Sequence, residues 1–174
     1  LTAGVYYYWL TADIASTATP AKVIIVNGLS STSLTSTTTG VAISGTSSAS
    51  GTQTIVAPTL TISNNTQITT QNLFVGSTNN IISKAQVVPT NDNVAASAIS
   101  FVTAGNATGY TSADIAAGGF KLWVNTTNTF AGATQVGSGQ SSTKTTATNT
   151  ETITFTATQN FTLGTTYYYW LTVD

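Results

Sequence analysis

The hexapeptide Tyr-Tyr-Tyr-Trp-Leu-Thr occurs twice in this chain of 174 residues, at Tyr6 to Thr11 and at Tyr167 to Thr172. The first copy runs on to Ala12 and Asp13, the second to Val173 and Asp174. Gly4 and Gly164 precede them at nearly the same distance. Only 9% of the residues are aromatic, so six identical residues of this kind do not recur by accident. The spacing reads as an internal repeat with a period of about 160 residues, sampled slightly more than once. The two segments are then the same element taken from successive units.

Aromatic and β-branched residues from Val5 to Ala12 favour a strand. Its two-residue period puts Tyr6, Tyr8 and Leu10 on one face and Tyr7, Trp9 and Thr11 on the other. One face is expected to pack a core. The other has three candidate partners: a neighbouring segment, a second subunit, or a sugar ring stacked on the aromatics. The candidate inter-unit contacts are therefore Tyr6, Tyr7, Tyr8, Trp9 and Leu10, with Tyr167, Tyr168, Tyr169 and Trp170 in the second copy. For sugar stacking the candidate is Trp123, alongside Trp9 or Trp170.

The rest of the chain reads as short strands between turns. Lys22 to Asn27 is a continuous apolar run whose composition suggests burial on both faces, closed by the turn signal Asn27-Gly28. From Leu29 to Gly51 the sequence is almost all Ser, Thr and Gly, compatible with a Thr-rich strand pair or with a linker. A domain boundary is placed near Pro58, giving an end segment or strand-donating connector over 1–57 and a domain over 58–174. Leu60, Ile62, Ile68, Leu73 and Val75 carry a two-residue period, and Asn80 to Val88 is a strand expected to stop at Pro89. Val94 to Ala104 follows. Ser112 to Ala117 resembles one helical turn capped by Ser112. Phe120 to Asn125 alternates cleanly, with Phe120, Leu122 and Val124 inward and Lys121, Trp123 and Asn125 outward. A short strand over 131–136, another over 151–158, and a hairpin around Gly164 leading into the last strand complete an all-β, antiparallel sandwich.

Composition narrows the chemistry. There is no Cys and no His, which removes thiolate nucleophiles, zinc–thiolate sites and the commonest general base together. Charged residues make up 5% of the chain and the net charge is −1, so there is no basic patch for phosphates or anionic lipid. No nucleic-acid partner and no membrane insertion are expected, because no apolar run approaches the roughly 20 residues of a spanning helix. The first residues read as an aromatic strand rather than a signal peptide, as in a mature or excised piece. The carboxylates Asp13, Asp92, Asp114, Glu151 and Asp174 are scattered, and Asp13 and Asp174 fit turns better than catalysis. Asp92-Asn93 is a weak calcium motif, since hard cations need several carboxylates together. A Lys–Asn cross-link assisted by Glu151 is weighed and set below solvated lysines. Four Asn-x-Ser/Thr matches, at Asn64, Asn106, Asn125 and Asn160, are what chance gives when about a third of the residues are Ser or Thr. No enzyme activity and no cofactor are expected.

Taken in order, Phe120-Lys-Leu-Trp-Val-Asn-Thr-Thr-Asn-Thr-Phe130, Ala133-Thr-Gln-Val-Gly-Ser-Gly-Gln140, Glu151-Thr-Ile-Thr-Phe155 and Gly164 to Asp174 resemble an Ig-like repeat of large secreted and surface proteins of Bacteroidetes. Such repeats occur beside sialidase-type propellers and in gliding adhesins. The resemblance implies an Ig-like sandwich acting as the repeat unit of an array or filament, extracellular and at the cell surface, with identical or similar repeats as partners. It supplies no catalytic residue. Two functions stay open: a structural or adhesive repeat joined by strand packing or donation, and a carbohydrate-binding module facing surface glycans.

Overall fold

The computed structural model describes residues 4–64 and 66–174. It divides into two compact units, Leu1–Ala57 and Pro58–Asp174.

The first unit has no buried residue among those described. Its strands β1 (Val23–Ile24) and β2 (Gln53–Thr54) pair antiparallel. The ladder continues irregularly through Ile55 N–H to Lys22 C=O and Ser47 N–H to Leu29 C=O, both 2.8 Å. Gly28 allows the close approach, since a Cβ there would lie 1.8 Å from the Ser47 carbonyl oxygen. The expected burial of Lys22 to Asn27 is corrected: Val23, Ile24, Ile25 and Val26 are all exposed. Their apolar run makes a strand, but a two-stranded ladder has no second layer to cover it.

The second unit is all-β with antiparallel sheets, consistent with a β-sandwich. Strands β3 (Thr59–Ser63), β4 (Asn80–Thr90), β6 (Lys121–Asn125), β7 (Thr134–Gln135) and β9 (Tyr167–Val173) form a five-stranded sheet in the order β3-β4-β9-β6-β7. Strands β5 (Val94–Thr103) and β8 (Glu151–Phe161) form a two-stranded sheet. Along β8 the residues Ile153, Phe155 and Phe161 turn inward and meet Val87, Leu122, Tyr169, Leu171 and Val173 of the larger sheet in one core. Period-two alternation in β8 and β6 thus does what it predicts, with Phe120 and Leu122 at 1% and 0% exposure.

Several local expectations change. β4 runs through Pro89 to Thr90, with Pro89 opposite Leu60. Its missing N–H breaks no bond to β9, whose pairing with β4 has ended at Val87. Residues 64–79 form no strand among those described, so the period through Ile68, Leu73 and Val75 stops at Ser63. Beyond that point glutamine side chains serve the edge of β4: Lys84 N–H donates to Gln67 Oε1 and the Gln71 amide donates to Ile81 C=O. The expected helical turn is a 3-10 turn over Ser112–Asp114. Thr111 precedes it in place of Ser112, donating from N–H and Oγ1 to Asp114 Oδ2 at 2.8 and 2.9 Å. Gly164, at φ +83°, turns the chain from one sheet to the other and makes no hairpin, because β8 and β9 lie in different layers.

Candidate functional site

The second aromatic copy is β9, a central strand. Nothing in Tyr167 to Val173 breaks a ladder, and both edges are paired: Tyr167–Val173 against β4, and Tyr168–Thr172 against β6. Tyr169, Leu171 and Val173 enter the core at 2%, 3% and 5% exposure. Phe161 meets Tyr167 edge-on, with centroids 5.1 Å apart. Burial pushes the Tyr169 hydroxyl pKa upward, and that hydroxyl donates to Gln159 Oε1 at 3.3 Å.

The opposite face of β9 is covered from within the same unit. Phe130, in the turn after β6, stands edge-on to both Trp123 (5.5 Å) and Trp170 (6.0 Å). Trp123 lies opposite Trp170 and donates from its indole N–H to Thr172 Oγ1 at 3.0 Å. The Thr172 hydroxyl donates in turn to Lys121 C=O, so its complete burial leaves no polar atom unmatched. Trp170 is therefore enclosed, and the half-buried Trp123 is held crosswise to Phe130.

Beyond the strand, Asp174 accepts from Asn79 N–H at 2.6 Å and pairs with Lys121 Nζ. Burial raises the Asp174 carboxyl pKa, but the Asn79 N–H and the Lys121 ammonium outweigh it and hold the group below the ordinary range. The expected turn role for Asp174 becomes a lock between the end of β9, the start of β4 and β6.

The first copy carries the same residues without these partners. Residues 5–15 belong to no strand, which corrects the expected strand over Val5 to Ala12. Tyr6 is 43% exposed, and Tyr7, Tyr8, Trp9 and Leu10 range from 74% to 83%. Yet Tyr7 and Trp9 lie tilted against each other with centroids 6.4 Å apart and planes at 38°, while Tyr168 and Trp170 stand at 6.4 Å and 35°. The ring placement of Tyr168 and Trp170 in β9 is thus repeated by Tyr7 and Trp9 outside any strand. Tyr6 to Asp13 and Tyr167 to Asp174 differ at one residue, Ala12 against Val173.

A second cluster escaped sequence reasoning. Glu151 accepts from Tyr110 Oη at 2.8 Å, Ser142 Oγ at 2.9 Å, and the Thr143 N–H and hydroxyl at 2.5 and 3.1 Å. Lys144, 4% exposed, sets its ammonium 4.2 Å from the Tyr110 ring centroid and donates to Ala104 C=O. Among the described residues, Glu151 bonds Tyr110, Ser142 and Thr143, and the Lys144 ammonium bonds the Ala104 carbonyl. Among the described residues no three carboxylate side chains gather as a metal site would require, and no helix is long and apolar enough to cross a membrane.

No family model, no characterised protein and no solved structure matches the chain.

Proposed function

We propose that this chain is a structural, non-catalytic unit of an extracellular surface filament or adhesin. In this reading it is an Ig-like β-sandwich repeat joined to identical or similar units through the aromatic strand. One observation carries the reading: eight residues, identical but for one, stand once as a paired central strand and once as an exposed segment in no strand. Each of Tyr8, Trp9 and Leu10 leaves in water a side chain whose counterpart is almost fully buried. Burying one such side chain stabilises by roughly 1.5–3 kcal/mol. The matching environment is a slot like that between β4 and β6, and the first copy already holds the Tyr–Trp ring pair of the strand that fills it. Strand addition of this kind joins units through main-chain hydrogen bonds and takes its register from the side-chain pockets. It also covers the edges of β4 and β6, which would otherwise stand open to indiscriminate pairing. The unit works either in covalent tandem or as a separate subunit donating its strand.

Deleting residues 167–174 tests this. Each molecule then keeps one aromatic copy and opens one slot, so negative-stain images should show head-to-tail polymers of uniform width. A further deletion of residues 4–13 should abolish them. A folded monomer, or irregular aggregate indifferent to residues 4–13, overturns the reading.

A further inference from the structure

We propose that the groove at the end of β9 is the socket of the joint between successive units, and that Ile14 of the following unit fills it. The proposal rests on the repeat reading above and adds to it the surface that sets one unit against the next.

The groove has a volume of about 420 Å³ and is lined by Leu73, Phe74, Val75, Ile115, Val173 and Asp174. Three consecutive apolar side chains form its rim, and they face water: Leu73 is 47% exposed, Phe74 77% and Val75 fully. Hydrogen bonds hold the turn that carries them. Ser77 donates to Phe74 C=O from both N–H and Oγ, Asn80 Nδ2 donates to Ser77 Oγ, and Asn79 N–H donates to Asp174 Oδ1. An apolar rim fixed in place by the residue that follows the strand it borders has the character of a contact surface.

Chain continuity names the occupant. Asp174 itself lines the groove, and consecutive Cα atoms lie about 3.8 Å apart. Whatever follows this aspartate in an array therefore starts beside the groove. After the first copy, the residue following the aspartate is Ile14, which is 54% exposed. It is also the one large aliphatic side chain between Asp13 and Val23. The chain then bends, with Ala18 N–H donating to Ala15 C=O at 2.9 Å, which keeps Ile14 near the strand end. A branched aliphatic side chain thus meets an aliphatic and aromatic rim with no charge to desolvate on the incoming side.

The absence of cysteine gives a clean reporter. Val75→Cys is made in the single chain and in the first unit of a tandem chain, in which residues 14–174 follow Asp174 directly. Thiol labelling in the tandem should be slower by about tenfold or more, as for any locally protected site. Ile14→Asp at the junction should restore the single-chain rate. Equal labelling of single and tandem chains overturns the proposal, and so does protection that survives Ile14→Asp. A control separates this from failure of the repeat reading: Val173→Ala converts Tyr167–Asp174 letter for letter into Tyr6–Asp13. If that single chain folds with Trp170 shielded while the groove stays open in the tandem, the joint alone is lost. If it does not fold, the first copy cannot serve as a last strand, and both readings fall.

Discussion

Glu151 shows how a carboxylate is kept charged under a layer of hydroxyls. Burial raises its pKa, while the Thr143 N–H and the Tyr110, Ser142 and Thr143 hydroxyls lower it by more, so the folded value lies below the ordinary 4.5. A group with a depressed folded pKa contributes stability above its unfolded value and loses it as pH falls through the folded one. Stability should therefore decline from about pH 4.5 downward, with Asp174 adding a lower step beneath its ordinary 3.8. Urea midpoints between pH 7 and pH 2.5 follow this. Glu151→Gln should cost about 1–3 kcal/mol at pH 7, because hydroxyl and amide donors lose an ionised acceptor. It should also remove the upper part of the acid limb. An unchanged limb in that variant would assign the acid sensitivity elsewhere. None of this was legible from the sequence, where Glu151 offered only a lone acid. With about a third of the residues Ser or Thr, no spacing marks out Ser142 and Thr143 as its partners.

At the scale of the element, one sequence occupies two environments, and substitution should read them apart. Leu171 is 3% exposed and Leu10 79%. Leu171→Ala should cost about 2–5 kcal/mol through lost burial and the cavity left behind. Leu10→Ala in the same chain should stay within about 0.5 kcal/mol, as exposed sites do. Denaturant midpoints of the two variants decide it, and comparable losses would mean that Leu10 already lies in a core. The contrast also marks what a sequence can disclose. Alternation in Phe120 to Asn125 and Glu151 to Thr158 stated which faces turn inward, because each strand has a second layer to face. Val23 to Val26 has the same apolar character and no such layer, so its composition promised a burial that the first unit does not supply. The aromatic hexapeptide is the limiting case, since no rule of propensity distinguishes its two copies. Only the presence of β4, β6 and Phe130 around one of them does.

For the whole molecule the consequence is an uneven distribution of burial, with every buried side chain among the described residues in the second unit. The three tryptophans sample it. Trp9 is 83% exposed, Trp170 is 2% exposed, and Trp123 is half-buried with its N–H engaged by Thr172. Acrylamide quenching of the single chain should therefore resolve one accessible class and one shielded class. Trp9→Phe should remove the accessible class and shift the emission toward shorter wavelength, leaving the shielded class intact. Trp123→Phe should leave the accessible class unchanged. The same measurement distinguishes the two accounts of the aromatic copy. In chains lacking residues 167–174, a strand waiting for a slot loses its accessible class when units assemble, because Trp9 then takes the place Trp170 has beside Phe130. A sugar platform keeps that class through assembly and loses it only when saccharide is added. Protection from acrylamide by saccharide alone, with no change on assembly, would remove the strand-joining role, because a Trp9 that stays in water among assembled units is not part of their sheet.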